Sequence, residues 1–244
     1  TPYSKGMPIN YPDVTEARVV LPIDQAHVWA TKIDPIDLQQ SDHDLIPRWV
    51  RRAGISAANL IDADILTWIV TQCSAYTAGA TAGRNSDVNL GAAGAALDFS
   101  STTAIHFVNL CGQVLDELDV PQDNRWMVLP PAAFTRLKES DIRNASITGD
   151  PSSPIRHGRV GEVDRFTLYR SNNLLHAVDG SRTCYSIPFG WKRACAFAKT
   201  IDSSNGPEIL QDKDIMGKFI RGMLVYGRKV IRSNCVGCLY VYFS

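Results

Sequence analysis

The sequence predicts an α+β protein organised around one long helix, and three observations carry that prediction. Apolar residues between Ser41 and Gln72 recur at three-and-four spacing. Helix-like, strand-like and again helix-like segments follow one another between Ser100 and Leu137. From Val163 onward short alternating or continuous apolar runs dominate, so the last third is mainly β.

Taken in order, residues 1–16 are proline-rich and polar and read as an arm without its own core. The run RVVL ending at Leu21 and the alternation HVWATKI from His27 to Ile33 read as two strands joined through Pro22–Ala26, that is, a hairpin. An isolated two-stranded hairpin is marginal in water, so this one is expected to rest on another chain or another part of its own. Trp29 has little core around it there, and burial against a partner is its expected fate. Asp34 and Asp37 lead from the hairpin into the long helix.

In that helix Leu45, Ile46, Trp49, Val50, Ala53, Ala57, Leu60 and Ile61 form one stripe, expected to be buried, and Ile65, Trp68 and Ile69 continue it. Ser41 or Asp42 is placed to cap it, Asp42 and Asp44 suit the positive end of its dipole, and Pro47 lies near the first turn. Roughly 30 residues at 1.5 Å per residue make a rod of about 45 Å, long for a compact domain of this size. Gly54 is a point where it can bend. Asp62 and Asp64, two positions apart, point to opposite sides and cannot share a proton or a metal. Arg51 and Arg52 are expected in salt bridges rather than on phosphate.

The Gly/Ala-rich stretch 75–99 reads as a surface loop and lacks the spacing of a phosphate-binding loop. Ser100–Leu118 reads as a second helix capped by Thr102 or Thr103. RWMVL at Arg125–Leu129 reads as a strand covered on both faces, and Pro131 opens a further helix through Phe134 and Leu137. Residues 140–160, with GDPSSP, read as loop. Strands are expected at Val163–Arg170, Cys184–Ile187, Arg193–Lys199, Gly222–Tyr226, Lys229–Ile231 and Cys238–Phe243.

Lys and Arg total 25, as do Asp and Glu, so no net field recruits nucleic acid or an anionic membrane, and a nucleic-acid contact would need a local patch. No run of 18 apolar residues suggests a membrane span, and the first residues lack the apolar core of a signal peptide, which points to a chain made and kept in a cytoplasm or in something assembled there. Cys73, Cys111, Cys184, Cys195, Cys235 and Cys238 read as buried free thiols. Cys235 and Cys238 form a CxxC pair, but no second pair completes four metal ligands. GxSxG, HExxH and GxGxxG are all absent, and the five histidines are scattered. The expectation is therefore no enzyme, no cofactor and no metal; the competing reading is a soluble α+β ligand-binding or redox domain using Cys235 and Cys238.

The order of IDQAHVWATKIDPIDLQQSDHDL, the long helix, the Gly/Ala-rich stretch, LDELDVPQDNRWMVLPPAAFTRL, GRVGEVDRFTLYRSNNL and RGMLVYGRKVI resembles the major capsid proteins of tailed double-stranded DNA bacteriophages, especially the coat proteins of short-tailed phages. The resemblance implies the Hong Kong 97-type capsid fold: an N-terminal arm at 1–16, an E-loop hairpin at 17–40, a peripheral domain with its spine helix at 41–74, an axial domain at 75–182, and C-terminal strands at 183–244 returning to the peripheral domain. Pro22 and Pro35 depart from the usual E-loop pattern. It further implies a virion subunit forming hexamers and pentamers of an icosahedral shell, assembled in the bacterial host cytoplasm. Its partners would be copies of itself, scaffolding protein, portal, decoration protein and non-specifically held double-stranded DNA, with no membrane. Candidate inter-subunit residues are then Asp24, Trp29, Lys32, Asp34, Asp37, Arg51 and Arg52, and charge reversal at Asp34 is expected to impair assembly while the subunit stays folded.

Overall fold

The computed structural model describes residues 18–41, 44–140, 161–202, 208–211 and 217–244. The expected arm at 1–16, Asp42 as a cap, and GDPSSP lie outside them.

The first departure from expectation is at the hairpin. Residues 18–24 form no strand. Strand β1 (Gln25–Ile33) pairs instead with a strand near the far end of the chain, β10 (Lys218–Val230), antiparallel from Gln25 opposite Tyr226 to Ile33 opposite Lys218. The alternation seen at 27–33 is real, but its partner lies about 190 residues away. β10 offers a matching alternation, burying Ile220, Gly222, Leu224 and Tyr226, and a four-stranded sheet is more stable than a lone hairpin. Pro35 is the first residue of a short helix, α1 (Pro35–Gln40), and the Asp34 carboxylate accepts the Ile36 N–H at 2.9 Å to cap it.

The long helix α2 spans Leu45–Thr71, four residues later at its start than the spacing predicts, with Asp44 at the cap position but making no side-chain capping bond. Its apolar stripe does not behave as one buried seam. Ile61 and Ala63–Val70 are half-buried or buried, whereas most residues before Ile61 are exposed, and Ile69 alone is fully buried. The helix is more deeply embedded in its C-terminal half, while its N-terminal half keeps only a half-buried stripe at Leu45, Ile46, Val50, Ala53 and Ala57.

Two sheets follow. In the first, β10 lies between β1 and β8 (Cys195–Asp202), with β9 (Glu208–Gln211) pairing the other end of β10. The second has the order β2-β11-β7-β3-β5-β4, with β6 beside β7. Its strands are β2 (Leu97–Asp98), β3 (Arg125–Leu129), β4 (Glu162–Val163), β5 (Phe166–Arg170), β6 (His176–Asp179), β7 (Arg182–Trp191) and β11 (Val236–Tyr242). This sheet joins segments on both sides of the boundary expected at 182/183. The block 183–244 is shared between the two sheets instead of returning as a unit beside the long helix.

Helices α3 (Ala104–Glu117) and α4 (Pro131–Glu139) complete the core with the second sheet. α3 buries Phe107, Val108, Cys111, Val114 and Leu115; the Thr103 hydroxyl braces its entry, donating to the Asp98 carbonyl and accepting the Ser100 N–H. The strand expected at Val163–Arg170 breaks at Asp164 and Arg165, whose positive φ angles of 45° and 65° fold it into a tight hairpin between β4 and β5.

The Gly/Ala-rich stretch is also different from expectation. Ala82, Val88, Leu90 and Phe99 are buried in the main core, and Leu90 accepts the Tyr240 N–H of β11 at 2.8 Å. Small residues here serve close packing of backbone on backbone, which composition alone does not separate from a loose loop. Gly91 has φ +79°, and a Cβ there would run into the Tyr240 carbonyl. Gly91→Ala is therefore expected to destabilise the fold by about 1–3 kcal/mol, measurable as a lowered urea midpoint.

Candidate functional site

Chemistry finds little purchase in the described residues. No group of three or more His, Cys, Asp or Glu there could hold a metal ion. A groove of about 500 Å³ at the end of the first sheet is lined by Ala30, Lys32, Leu210, Phe219, Ile220 and Arg221 among others, with no carboxylate or imidazole to exchange a proton. Cys235 ends a 3₁₀ turn (Ser233–Cys235) and Cys238 lies buried in β11. Burial pushes the Cys238 thiol up to about 12, against a smaller opposing hydrogen bond from Ser186, and Cys195 up to about 11; it raises Cys73, Cys111 and Cys235 as well. Thiols so held stay protonated near neutrality and are poor nucleophiles or metal ligands.

These shifts carry a sign. A group whose pKa is raised by folding stabilises the fold below its unfolded value, here 9.0, and that contribution is lost as pH rises above it. Cys73, Cys111, Cys195 and Cys238 are each expected to remove up to about 1.4 kcal/mol per pH unit above that value. Under reducing conditions the urea midpoint should fall between about pH 9 and pH 11; a flat midpoint over that window would contradict the burial of these thiols.

The conspicuous feature is surface. The most apolar part of α2 is its second half, half-buried or buried from Ala63 to Val70, yet its first half also carries large apolar side chains in the open. Trp49, Ile55 and Leu60 are 43%, 58% and 42% exposed. On the first sheet, Val28 of β1 and its neighbour Met223 of β10 are likewise exposed on one face. By length and composition α2 would also suit a bilayer, although no 18-residue run is free of polar residues. Asp64 is instead tied to protein: it pairs with Arg228 and accepts the Tyr226 hydroxyl at 2.6 Å, and the Arg228 guanidinium lies 5.5 Å from the Trp68 ring centre. His27 of β1 stacks on Tyr226, its Nε2 3.4 Å from the hydroxyl. β10 thus grips α2 at Asp64, with β1 stacked on Tyr226, while Asp62 is exposed, as their spacing predicts.

The seven candidate residues do not form one cluster. Asp24, Trp29, Lys32, Asp34 and Asp37 follow one another along the approach to β1, β1 itself and α1; Arg51 and Arg52 are on the more exposed first half of α2. Trp29 is half-buried, its indole lying against Gly222 where a Cβ would collide, so its own chain already covers part of it. The Lys32 ammonium sits 5.9 Å from the Phe219 ring and Asp24 accepts from Gln25. Asp34 caps α1, so charge reversal there acts on the subunit's own helix as well as on any contact with a neighbour. Among the described residues Arg52 has no salt bridge and lies 5.9 Å from the Trp49 ring, and Arg51 and Asp37 are exposed.

No family model matches the chain, and no curated protein matches it. Solved structures do. A chain of Mycobacterium phage Che8 superposes with a TM-score of 0.70 at 24% identity, over 92% of this chain and 72% of that one. The capsid of cyanophage P-SCSP1u superposes with a TM-score of 0.67 at 16% identity, over 100% of this chain and 80% of its own. This chain has a phage-capsid fold. The same capsid fold extends to a virus-like particle from Pyrococcus furiosus, with a TM-score of 0.52 at 7% identity over 89% of this chain and 76% of that one.

Two ion-pair centres of this capsid fold were not visible in the sequence. One is Asp64 with Arg228 and Tyr226. The other is Arg125, whose side chain is fully buried; it donates to Asp116 at 2.6 Å and to the carbonyls of Val120 and Pro121, while Arg165 reaches the other Asp116 oxygen at 3.0 Å. The only local signal was an arginine opening a continuous apolar strand.

Proposed function

We propose that the chain is the major capsid subunit of a tailed double-stranded DNA phage, assembling into hexamers and pentamers of an icosahedral shell in the host cytoplasm. It does so by structural contact, without catalysis. The observation that supports this most is the set of large apolar side chains, Trp49, Ile55 and Leu60, that the first half of α2 leaves exposed. Likeness to phage capsids supports the reading from the side of the fold. In a shell each subunit makes several moderate contacts, and stability comes from the number that must open together, which leaves each weak enough to be corrected during assembly.

On this reading α2 is the spine helix of a Hong Kong 97-type subunit. The first sheet belongs with it in a peripheral domain, α3, α4 and the second sheet make up the axial domain, and 17–40 with β10 supplies the E-loop. Asp24, Trp29, Lys32, Asp37, Arg51 and Arg52 remain inter-subunit candidates; Asp34 serves α1 first. Scaffolding protein, portal and decoration protein are the implied partners.

The test is electron microscopy with sedimentation of the expressed chain, alone and with a scaffold encoded beside it. Closed shells or capsomer rings are the expected result, and a persistent monomer under both conditions would overturn the assignment. A second reading, a virus-like particle in place of a phage capsid, draws on the likeness to the Pyrococcus furiosus particle. Genome-length DNA inside purified native particles would reject it.

A further inference from the structure

Trp191 ends β7 where the chain turns through Lys192–Ala194 into β8, and the turn from β10 to β11 lies beside it, with the Arg232 N–H 3.3 Å from the Ala194 carbonyl. Two guanidinium groups therefore converge on one indole. The Arg193 Cζ is 5.9 Å and the Arg232 Cζ 5.7 Å from the Trp191 ring centre, and the tryptophan itself is only 7% exposed. Lys192, Arg193, Arg232, Ser233 and Asn234 are all exposed. Among the described residues none of the three cations has a carboxylate partner. Asp123, whose neighbour Asn124 accepts the Lys192 N–H, has its carboxylate on the Asn124 amide at 2.7 Å.

Like charges held on one ring repel, and a bound anion relieves that repulsion. The indole keeps both side chains ordered before any anion arrives, which lowers the entropy lost on binding. Guanidinium forks match phosphate oxygens, and the flanking Ser233 and Asn234 add neutral donors. A nucleic-acid strand presents a phosphate about every 3.4 Å along its axis, so one backbone can meet several of these cations together. We propose that Arg193 and Arg232, held on Trp191, form a phosphate-binding platform that grips a nucleic-acid backbone without reading its sequence; that this strand is packaged DNA rests on the capsid reading above.

The experiment compares the full chain with the double variant Arg193→Gln/Arg232→Gln, using a labelled short DNA duplex over a range of salt concentrations. The slope of log affinity against log salt is expected to fall by about 2 in the variant, and affinity to drop at least about tenfold at low salt. Arg193→Lys/Arg232→Lys should keep most of the slope. An unchanged urea midpoint verifies that the variants fold. Equal affinity and slope in the glutamine variant would overturn the proposal, as would poly-glutamate binding the chain at least as tightly as DNA, which would indicate an acidic protein partner. Shell formation is read separately by microscopy. Shells with an unchanged salt slope reject the platform alone; a reduced slope without shells keeps the platform and rejects the capsid reading.

Discussion

Leu60→Asp is expected to abolish shell formation while leaving the subunit folded. Leu60 is 42% exposed on the first half of α2, so within one subunit the change removes part of one side chain's packing and sets a like charge one turn from Asp64, and stability should fall by no more than about 1 kcal/mol. At a contact between subunits the same aspartate would be buried without a partner. Taking the cost as about 3 kcal/mol at each contact, the concentration needed for assembly rises at least about a hundredfold. Sedimentation of the purified variant would show monomer where the parent chain shows shells, with unchanged circular dichroism. Normal shells from Leu60→Asp would remove the first half of α2 from the assembly interface and leave the capsid reading resting on fold alone.

Asp116→Ala is expected to produce the largest loss of subunit stability, about 3 kcal/mol. The Arg125 side chain has no exposed surface, and Asp116 is its carboxylate partner. Removing one member of such a pair leaves a buried charge uncompensated, at a cost of about 3–5 kcal/mol. The lower end applies because Asp116 is itself 36% exposed and Arg125 keeps the Val120 and Pro121 carbonyls. Arg165 also loses a partner, although at 40% exposure it can turn to water. Arg125→Met removes the charge together with the need for its partner and should cost less than Asp116→Ala. Urea denaturation of the two variants decides it: an Asp116→Ala protein as stable as the parent, or an Arg125→Met protein less stable than Asp116→Ala, would refute this account of the core.

What could be read from the chain in advance depended on the range of the interaction that decides each element. β3 coincides with the expected Arg125–Leu129, and α4 opens at Pro131, because a continuous apolar run and a proline are local signals. The long helix was legible as a helix but not in its environment: three-and-four spacing says that a stripe will be covered, not whether by the same chain. β1 was legible as a strand, whereas its partner was not, because nothing near Gln25 announces a match with Tyr226. Among the candidate residues, Asp34 carried its own explanation in the sequence, an aspartate immediately before a proline that opens a helix. The Asp64–Arg228 contact carried none, since the two lie 164 positions apart and neither segment is unusual by itself.

The uneven cover along α2 also sets how its backbone opens. From Ala63 to Val70 the helix is half-buried or buried and Asp64 is held by Arg228 and Tyr226, whereas Leu45–Leu60 keeps only a half-buried stripe and the Asn173 amide on the Asn59 carbonyl. Local opening starts where the cover is thinnest, so protection of the α2 amides against hydrogen exchange falls from Ile69 towards Leu45.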